Sequence, residues 1–169
     1  RYEWIWDKGQ PTGFANARRM PMRRHENVLV FYRRLPNYHP MGLRPCRPRT
    51  RMSRESEVYG TDAGAGRRIQ RFTGYPQSIV TFRRDAKSLP CQKPTALLEF
   101  LIRTYTDPGD TVLDNAMGSG STGVAAVNTE RSFVGIEVDP CRFQIAVGRI
   151  SAAMMGHHRC GPRTFWGAE

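Results

Sequence analysis

The feature that most constrains this chain is the run Gly118-Ser119-Gly120-Ser121-Thr122-Gly123, which sits directly behind Thr111-Val112-Leu113-Asp114. A short apolar β-prone tetrad, a glycine-rich stretch and then small residues to Asn128 predict a buried strand, a tight loop and a helix. Phe133-Val134-Gly135-Ile136-Glu137 predicts the next strand. Asp139-Pro140 then opens a second helix, whose Phe143, Ala146, Val147 and Ile150 form an apolar stripe. Strand, helix, strand, helix in that order dictates a parallel sheet and an α/β fold. Upstream, Leu97, Leu98, Leu101, Ile102 and Tyr105 share one helical face, with Pro94 near the first turn. Asp107-Pro108-Gly109-Asp110 ends that helix.

The glycine run matches G-x-G-x-x-G, a weak signal alone. Its context is stronger, since Glu137 ends the following strand 19 residues after Gly118, where a ribose hydroxyl pair is usually gripped. Without a Cβ, the loop backbone can approach a ligand closely. A ligand-free turn leaves the strand-terminal acid unexplained. A nicotinamide or flavin dinucleotide is the serious rival, but Asp114 stands four residues before Gly118 and would repel a pyrophosphate. That carboxylate suits an ammonium group. An adenosine ligand with a cationic, amino-acid-like tail fits better, which points to S-adenosylmethionine.

The front of the chain has a different texture. Tyr2-Glu3-Trp4-Ile5-Trp6 and Asn27 to Tyr32 are β-prone runs that can pair as an antiparallel unit, separated by a turn-rich stretch from Asp7 to Pro21. Of Trp4 and Trp6, one is expected in the core and the other toward a pocket or DNA. Residues 34–75 hold four prolines, a dense arginine series and the Gly60 to Gly66 stretch, and read as a long functional loop. A short strand is expected at Ser78 to Phe82.

Charge follows this division. Residues 1–93 carry 20 Lys/Arg against 7 Asp/Glu, and residues 94–169 carry 6 against 8, so the first part is +13 and the second −2. A compositional bias toward arginine would raise both parts alike. Double-stranded DNA is the natural partner of the first, through phosphate contacts from Arg44, Arg47, Arg49, Arg51 and Arg54. Four scattered cysteines with no CxxC pair argue against a disulfide framework or a zinc site, and suit a reducing cytoplasm. His25, beside Glu26, reads as structural rather than catalytic, and His157, His158 and Cys160 make no credible metal site. No apolar run approaches the roughly 18 to 20 residues of a membrane span.

The ordered series Gln92-Lys93-Pro94, Leu97-Leu98-Glu99, Thr104-Tyr105, Gly109-Asp110, Val112-Leu113-Asp114, Met117 to Gly123, Phe133 to Glu137 and Arg149-Ile150 resembles the cofactor half of beta-class DNA amino-methyltransferases. Trp4 to Gly9, Phe14-Ala15-Asn16 and His25-Glu26-Asn27 resemble the segment that follows the catalytic motif in that family, so the likeness runs from about residue 2 to residue 150. It implies part of a doubly wound, Rossmann-like sheet with an antiparallel strand pair and a basic DNA-recognition insert. By this likeness, residues 1–35 end the catalytic half, 36–88 form the target-recognition region, and 89–169 bind S-adenosylmethionine. Asp114, Gly118, Ser119 and Gly120 would line the methionyl part of the cofactor, and Glu137 would hold its ribose. Lys93 and Pro94 would close over the cofactor from the other side. Trp6 and Lys8 would border the pocket for the target base.

The chain departs from the family pattern in three places. Leu89 and Cys91 stand where His and Thr are usual in the closing motif, and Asp114-Asn115-Ala116-Met117 replaces the commoner Asp-Pro-Phe opening. No D/N/S-P-P-Y/F/W sequence occurs in the 169 residues. In the family that motif accepts hydrogen bonds from the target amine and stacks on the flipped base. Family order places it just upstream of Arg1, in an N-terminal portion that would be a partner of this one. The expected function is therefore a fragment of a DNA methyltransferase, adenine-N6 ahead of cytosine-N4, inactive alone. A non-catalytic remnant binding DNA and cofactor is the alternative, and a dinucleotide-dependent oxidoreductase fragment a more distant one.

Overall fold

The computed structural model describes residues 2–53, 66–85 and 91–159. Arg54, Leu89, Cys160 and the Gly60 to Ala65 part of the glycine-rich stretch lie outside the described residues, as do the side chains of Arg51, His157 and His158. The chain forms two compact units, one of Pro40–Gln77 and one of all remaining residues.

In the larger unit, β1 (Tyr2–Thr12) pairs antiparallel with β2 (Arg23–Val30) and parallel with a short strand numbered β5 (Ile79–Thr81). The expected antiparallel pair is present, but β1 runs on through the stretch read as turn-rich. Its register slips between Asp7 and Thr12, where Gly9 takes a left-handed φ and its N–H donates to Asp7 Oδ1 at 2.8 Å. A bulge lets the strand absorb Gly9 and Pro11 without ending. Trp4, Trp6 and Lys8 are all buried on one face of β1. This corrects the expected division of the two tryptophans: residues two apart on a strand point the same way.

Helix α1 (Thr95–Tyr105) follows, and Asp85 caps it from a distance, its Oδ2 accepting the Thr95 N–H at 3.1 Å and hydroxyl at 3.0 Å. One face of α1 packs on β1: Phe100 meets Trp4 edge-on with ring centroids 5.4 Å apart and lies 5.6 Å from Phe82. The Trp4 indole donates to Tyr105 Oη at 2.5 Å. The other face carries Leu98 and Ile102 onto a second core, with Ala125, Ala126, Val112 and Phe133.

That second core lies under the predicted parallel unit. β6 (Thr111–Asp114) and β7 (Ser132–Gly135) pair in parallel, joined by α2 (Ser121–Asn128), and α3 (Pro140–Arg159) packs on α2. Asp139 opens α3 by accepting the Cys141 N–H at 2.8 Å. β6 is not the fully buried strand expected, and β7 shares its half-exposed pattern. Val112 and Phe133 turn inward, whereas Leu113 and Val134 are exposed on the opposite face, which no described element covers. The stripe on α3 is likewise only partly buried: Ala146 is enclosed, and Phe143 and Val147 are exposed.

The smaller unit corrects the reading of residues 34–75 as an irregular loop. β3 (Arg44–Ser53) and β4 (Gly66–Thr73) form an antiparallel hairpin, with a register shift between Pro45 and Arg49. Pro45 and Pro48 lack an N–H, so a strand can hold them at such an irregularity. No described helix is long and apolar enough to cross a membrane.

Trp4 is the test of this packing. Trp4→Ala should lower the unfolding free energy by about 3–5 kcal/mol, the usual cost of truncating a buried aromatic. Leu29→Ala, at an exposed position of β2, should change it by less than about 0.5 kcal/mol. Urea unfolding followed by circular dichroism measures both.

Candidate functional site

The glycine loop connects the end of β6 to the start of α2. Gly118 and Gly120 both take left-handed φ angles, 54° and 77°. Gly120 is doubly constrained, because a Cβ there would come within 2.8 Å of the Ala146 Cβ on α3. A Cβ on Gly118 would meet nothing within 4 Å. The packing of α3 thus explains one glycine, whereas the other borders open space. Such a loop leaves room for a ligand against its backbone.

Two carboxylates border this loop. Asp114 accepts the Thr122 hydroxyl on Oδ2 at 2.6 Å and the Ala116 N–H on Oδ1 at 3.1 Å. Glu137 accepts the Asp139 N–H at 3.0 Å and the Gly118 N–H at 2.8 Å. The Asp139 N–H, followed by that of Gly118, holds the Glu137 carboxyl below the usual glutamate range. Both acids are therefore oriented by the loop they flank. Arg149 of α3 secures the same loop, donating from Nη1 to the Ser119 carbonyl at 2.5 Å and to the Ser119 and Ser121 hydroxyls at 2.9 and 3.2 Å. Sequence reading quoted Arg149 without giving it a role. Its spacing from the glycine run, 30 residues, offers no local signal.

Gln92 joins the loop to the segment before α1, accepting the Ser119 hydroxyl at 3.3 Å. Its neighbour Lys93 goes elsewhere: Nζ lies 2.7 Å from Glu26 Oε2 and 5.8 Å from the centre of the Trp6 ring. Pro94 is fully buried at the start of α1. The Lys8 ammonium is 3.6 Å from Glu26 Oε1 and 3.3 Å from Thr12 Oγ1. Glu26 consequently bridges Lys8 of the expected base pocket and Lys93 of the expected closing segment. Sequence reading quoted Glu26 in the family likeness without giving it a role, since nothing in a β-strand pattern marks a charge that two distant lysines share. The Trp6 indole donates to the Phe82 carbonyl at 2.8 Å, which fixes the ring beside this cluster. In the smaller unit, Arg44, Arg47 and Arg49 are exposed on β3, and Arg51 lies within the same strand.

Partial burial raises the Glu26 carboxyl, but the hydrogen bond and charge of Lys93, together with Lys8, outweigh it and hold the group below its ordinary range. A lowered carboxylate stabilises the fold above its unfolded-state value, and that stability is lost as pH falls through the folded value. Glu26→Ala should therefore cost about 2 kcal/mol at neutral pH. That is less than the ~3–5 kcal/mol of a fully buried pair, because Glu26 is over one third exposed. The difference from wild type should shrink as the pH falls below the ordinary glutamate range and through the lowered folded value. Urea midpoints across an acid series check both the size and the sign.

A family model described as DNA methylase, covering N6 and N4 enzymes, matches residues 2–148. The DNA adenine methyltransferase YhdJ of Escherichia coli (strain K12) is 41% identical over 64 residues, 38% of this chain and 22% of that protein. The type II methyltransferase M.BglI of Bacillus subtilis is 49% identical over 53 residues, 31% of this chain and 15% of that protein. The crystal structure of the M1.HpyAVI–SAM complex superposes with a TM-score of 0.58 at 26% identity, covering 89% of this chain and 61% of that one. The cytosine-N4-specific PvuII DNA methyltransferase, at 16% identity and a TM-score of 0.55, has the same fold and covers 92% and 57%. The chain thus spans about 60% of the length of these solved structures and aligns with a smaller part of the curated proteins. With the model matched across both the β1–β2 segment and the glycine loop, the chain belongs to the N6/N4 DNA methylase family.

Proposed function

We propose that this chain supplies the S-adenosylmethionine site and part of the DNA-contacting surface of a DNA amino-methyltransferase. The observation that carries the reading is the open space at Gly118 between two oriented carboxylates, Asp114 and Glu137. A cationic amino-acid tail is attracted to Asp114, and a ribose diol can hydrogen bond to Glu137. The loop backbone, including Ser119 and Gly120, would lie against the methionyl part. Lys93 would act through Glu26 and the Trp6 ring, and Pro94 by fixing the start of α1 beneath them. The cofactor, when bound, supplies an electrophilic methyl group.

The target is an exocyclic base amine, with adenine-N6 favoured by the 41% identity to an adenine methyltransferase over the matched stretch. Trp6, buried in β1, would back the pocket for a flipped base from beneath, with Lys8 and Lys93 beside it. Double-stranded DNA would be met by Arg44, Arg47, Arg49, Arg51 and Arg54. The 169 residues contain no D/N/S-P-P-Y/F/W motif, so nothing in them accepts hydrogen bonds from the target amine in the manner of that motif. Transfer then depends on a portion bearing it, since positioning alone can account for several orders of magnitude in rate.

Titration calorimetry should show S-adenosylmethionine binding and no NAD binding. Asp114→Ala should weaken binding at least tenfold. Gly118→Val should weaken it by filling the ligand space. Undiminished affinity in both variants would sink the site assignment. With duplex DNA and radiolabelled cofactor, the chain alone should transfer no methyl above background. Transfer at a rate matching a version that carries the motif would show that the chemistry resides within these residues.

A further inference from the structure

A concave site lies in the larger unit, on the opposite side of Lys8 in sequence from Trp6. It is a cleft of about 500 Å³ lined by Lys8, Gly9, Gln10, Pro11, Thr12, Arg83 and Arg84. Three of its seven lining residues are cationic and none is acidic. Arg83 and Arg84 are exposed, and neither has an ion-pair partner among the described residues.

The carboxylates near this cleft all have other partners, and only Glu26 neutralises one of its cations, Lys8, in part. Asp7 receives a two-pronged bond from Arg24, at 2.9 and 3.0 Å, as well as the Gly9 N–H. Glu26 is shared by Lys8 and Lys93. Asp85, directly after Arg84, is held by the start of α1. The backbone carrying the two arginines is meanwhile anchored at both ends. On one side the Phe82 carbonyl accepts the Trp6 indole and its N–H donates to the Asp7 carbonyl at 3.3 Å. On the other, Asp85 bonds Thr95. Two guanidinium groups with no ion-pair partner among the described residues thus extend from a segment held on both sides, open to an anion.

We propose that Lys8, Arg83 and Arg84 form a phosphodiester-binding cleft that anchors the DNA backbone beside the Trp6 pocket, independently of the arginines on β3. The inference rests on the DNA-methyltransferase reading above and adds to it the residues that hold the strand next to the base pocket. Lys8 contributes a buried, partly shared charge, and the two arginines contribute the direct contacts. Their fork geometry suits phosphate oxygens, and none of these contacts reads a base.

The test is duplex-DNA affinity of the full chain across a salt series. Arg83→Ala/Arg84→Ala should flatten the slope of log affinity against log salt by about 1.8, as expected for two lost phosphate contacts. Arg83→Lys/Arg84→Lys should keep most of the slope. Arg103→Ala/Arg142→Ala removes the same charge from arginines already paired with Glu99 and Asp139, and should leave the slope unchanged. S-adenosylmethionine affinity and thermal midpoint should not move in the alanine pair, which separates a lost contact from a lost fold. If the wild type binds both cofactor and DNA and the alanine pair keeps the full slope, the cleft assignment falls while the methyltransferase reading stands. A wild type that binds neither overturns both. Binding of a nucleoside monophosphate that the alanine pair abolishes, with the DNA slope unchanged, would assign the cleft to a free nucleotide and overturn the strand anchor.

Discussion

The larger unit depends on a helix that is apolar on more than one side. If α1 buried a single stripe, the β2-β1-β5 sheet and the β6-β7 layer would each have to find cover separately. Instead, Phe100 and Tyr105 meet Trp4 on β1, and Leu98 and Ile102 join Ala125, Ala126, Val112 and Phe133. A truncation at Trp4 consequently reaches further than one contact, since it loosens the surface that orients α1 over the second core. Asp85 reinforces the arrangement by capping α1 from the segment that leaves β5, so the helix start and the sheet edge are tied together. Everything at the candidate site is built outward from this helix, with Gln92 and Lys93 immediately before its first turn.

Those two adjacent residues divide their attention. Gln92 meets Ser119 of the glycine loop, and Lys93 meets Glu26 beside Trp6. One short segment thus touches both expected halves of a methyl-transfer site, the cofactor loop and the base pocket. The charges are sorted accordingly. Asp114 and Glu137 flank the loop, where a cationic small molecule would sit, whereas Lys8, Arg83 and Arg84 gather where a polyanion would. Glu26 keeps Lys8 and Lys93 from repelling each other in a partly desolvated place. Removing that acid leaves a buried ammonium without its nearest opposite charge, a more serious change than losing an ordinary surface pair.

Much of this was legible in the residues because local pattern and tertiary demand agree. The glycine run between Val112-Leu113-Asp114 and small residues could only be a strand-to-helix turn, and α1 showed its apolar spacing plainly. Other features were hidden where two signals conflict. Gly9 and Pro11 look like a strand end, yet a bulge carries β1 through them. Pro45, Pro48 and the arginines masked a hairpin, because proline is read as a breaker before its place at a register shift is known. β6 looked buried from its composition, but burial depends on what covers each face. Leu113 and Val134 are as apolar as Val112 and Phe133 and face solvent among the described residues. Glu26 and Arg149 were illegible for another reason: their importance comes from partners 67 and 30 residues away.

The same reasoning separates the two sets of arginines. Sequence density drew attention to Arg44 through Arg54, since a run of like charges is easy to see. Density does not measure readiness to bind. An exposed arginine in either set must still be ordered when it meets a phosphate, at a cost of about 0.5–1.5 kcal/mol for each side chain immobilised. Arg83 and Arg84 make a modest signal as a lone pair, but Trp6, Asp7 and Thr95 have already fixed the backbone that bears them. The buried tryptophan behind the proposed base pocket is thereby also the hydrogen-bond donor that holds the arginine strut. A shift of the strut would pull on the Trp6 indole through the Phe82 carbonyl, and a displaced indole would release the strut. If the cleft grips a strand beside the proposed pocket, grip and pocket shape would both report on this one hydrogen bond.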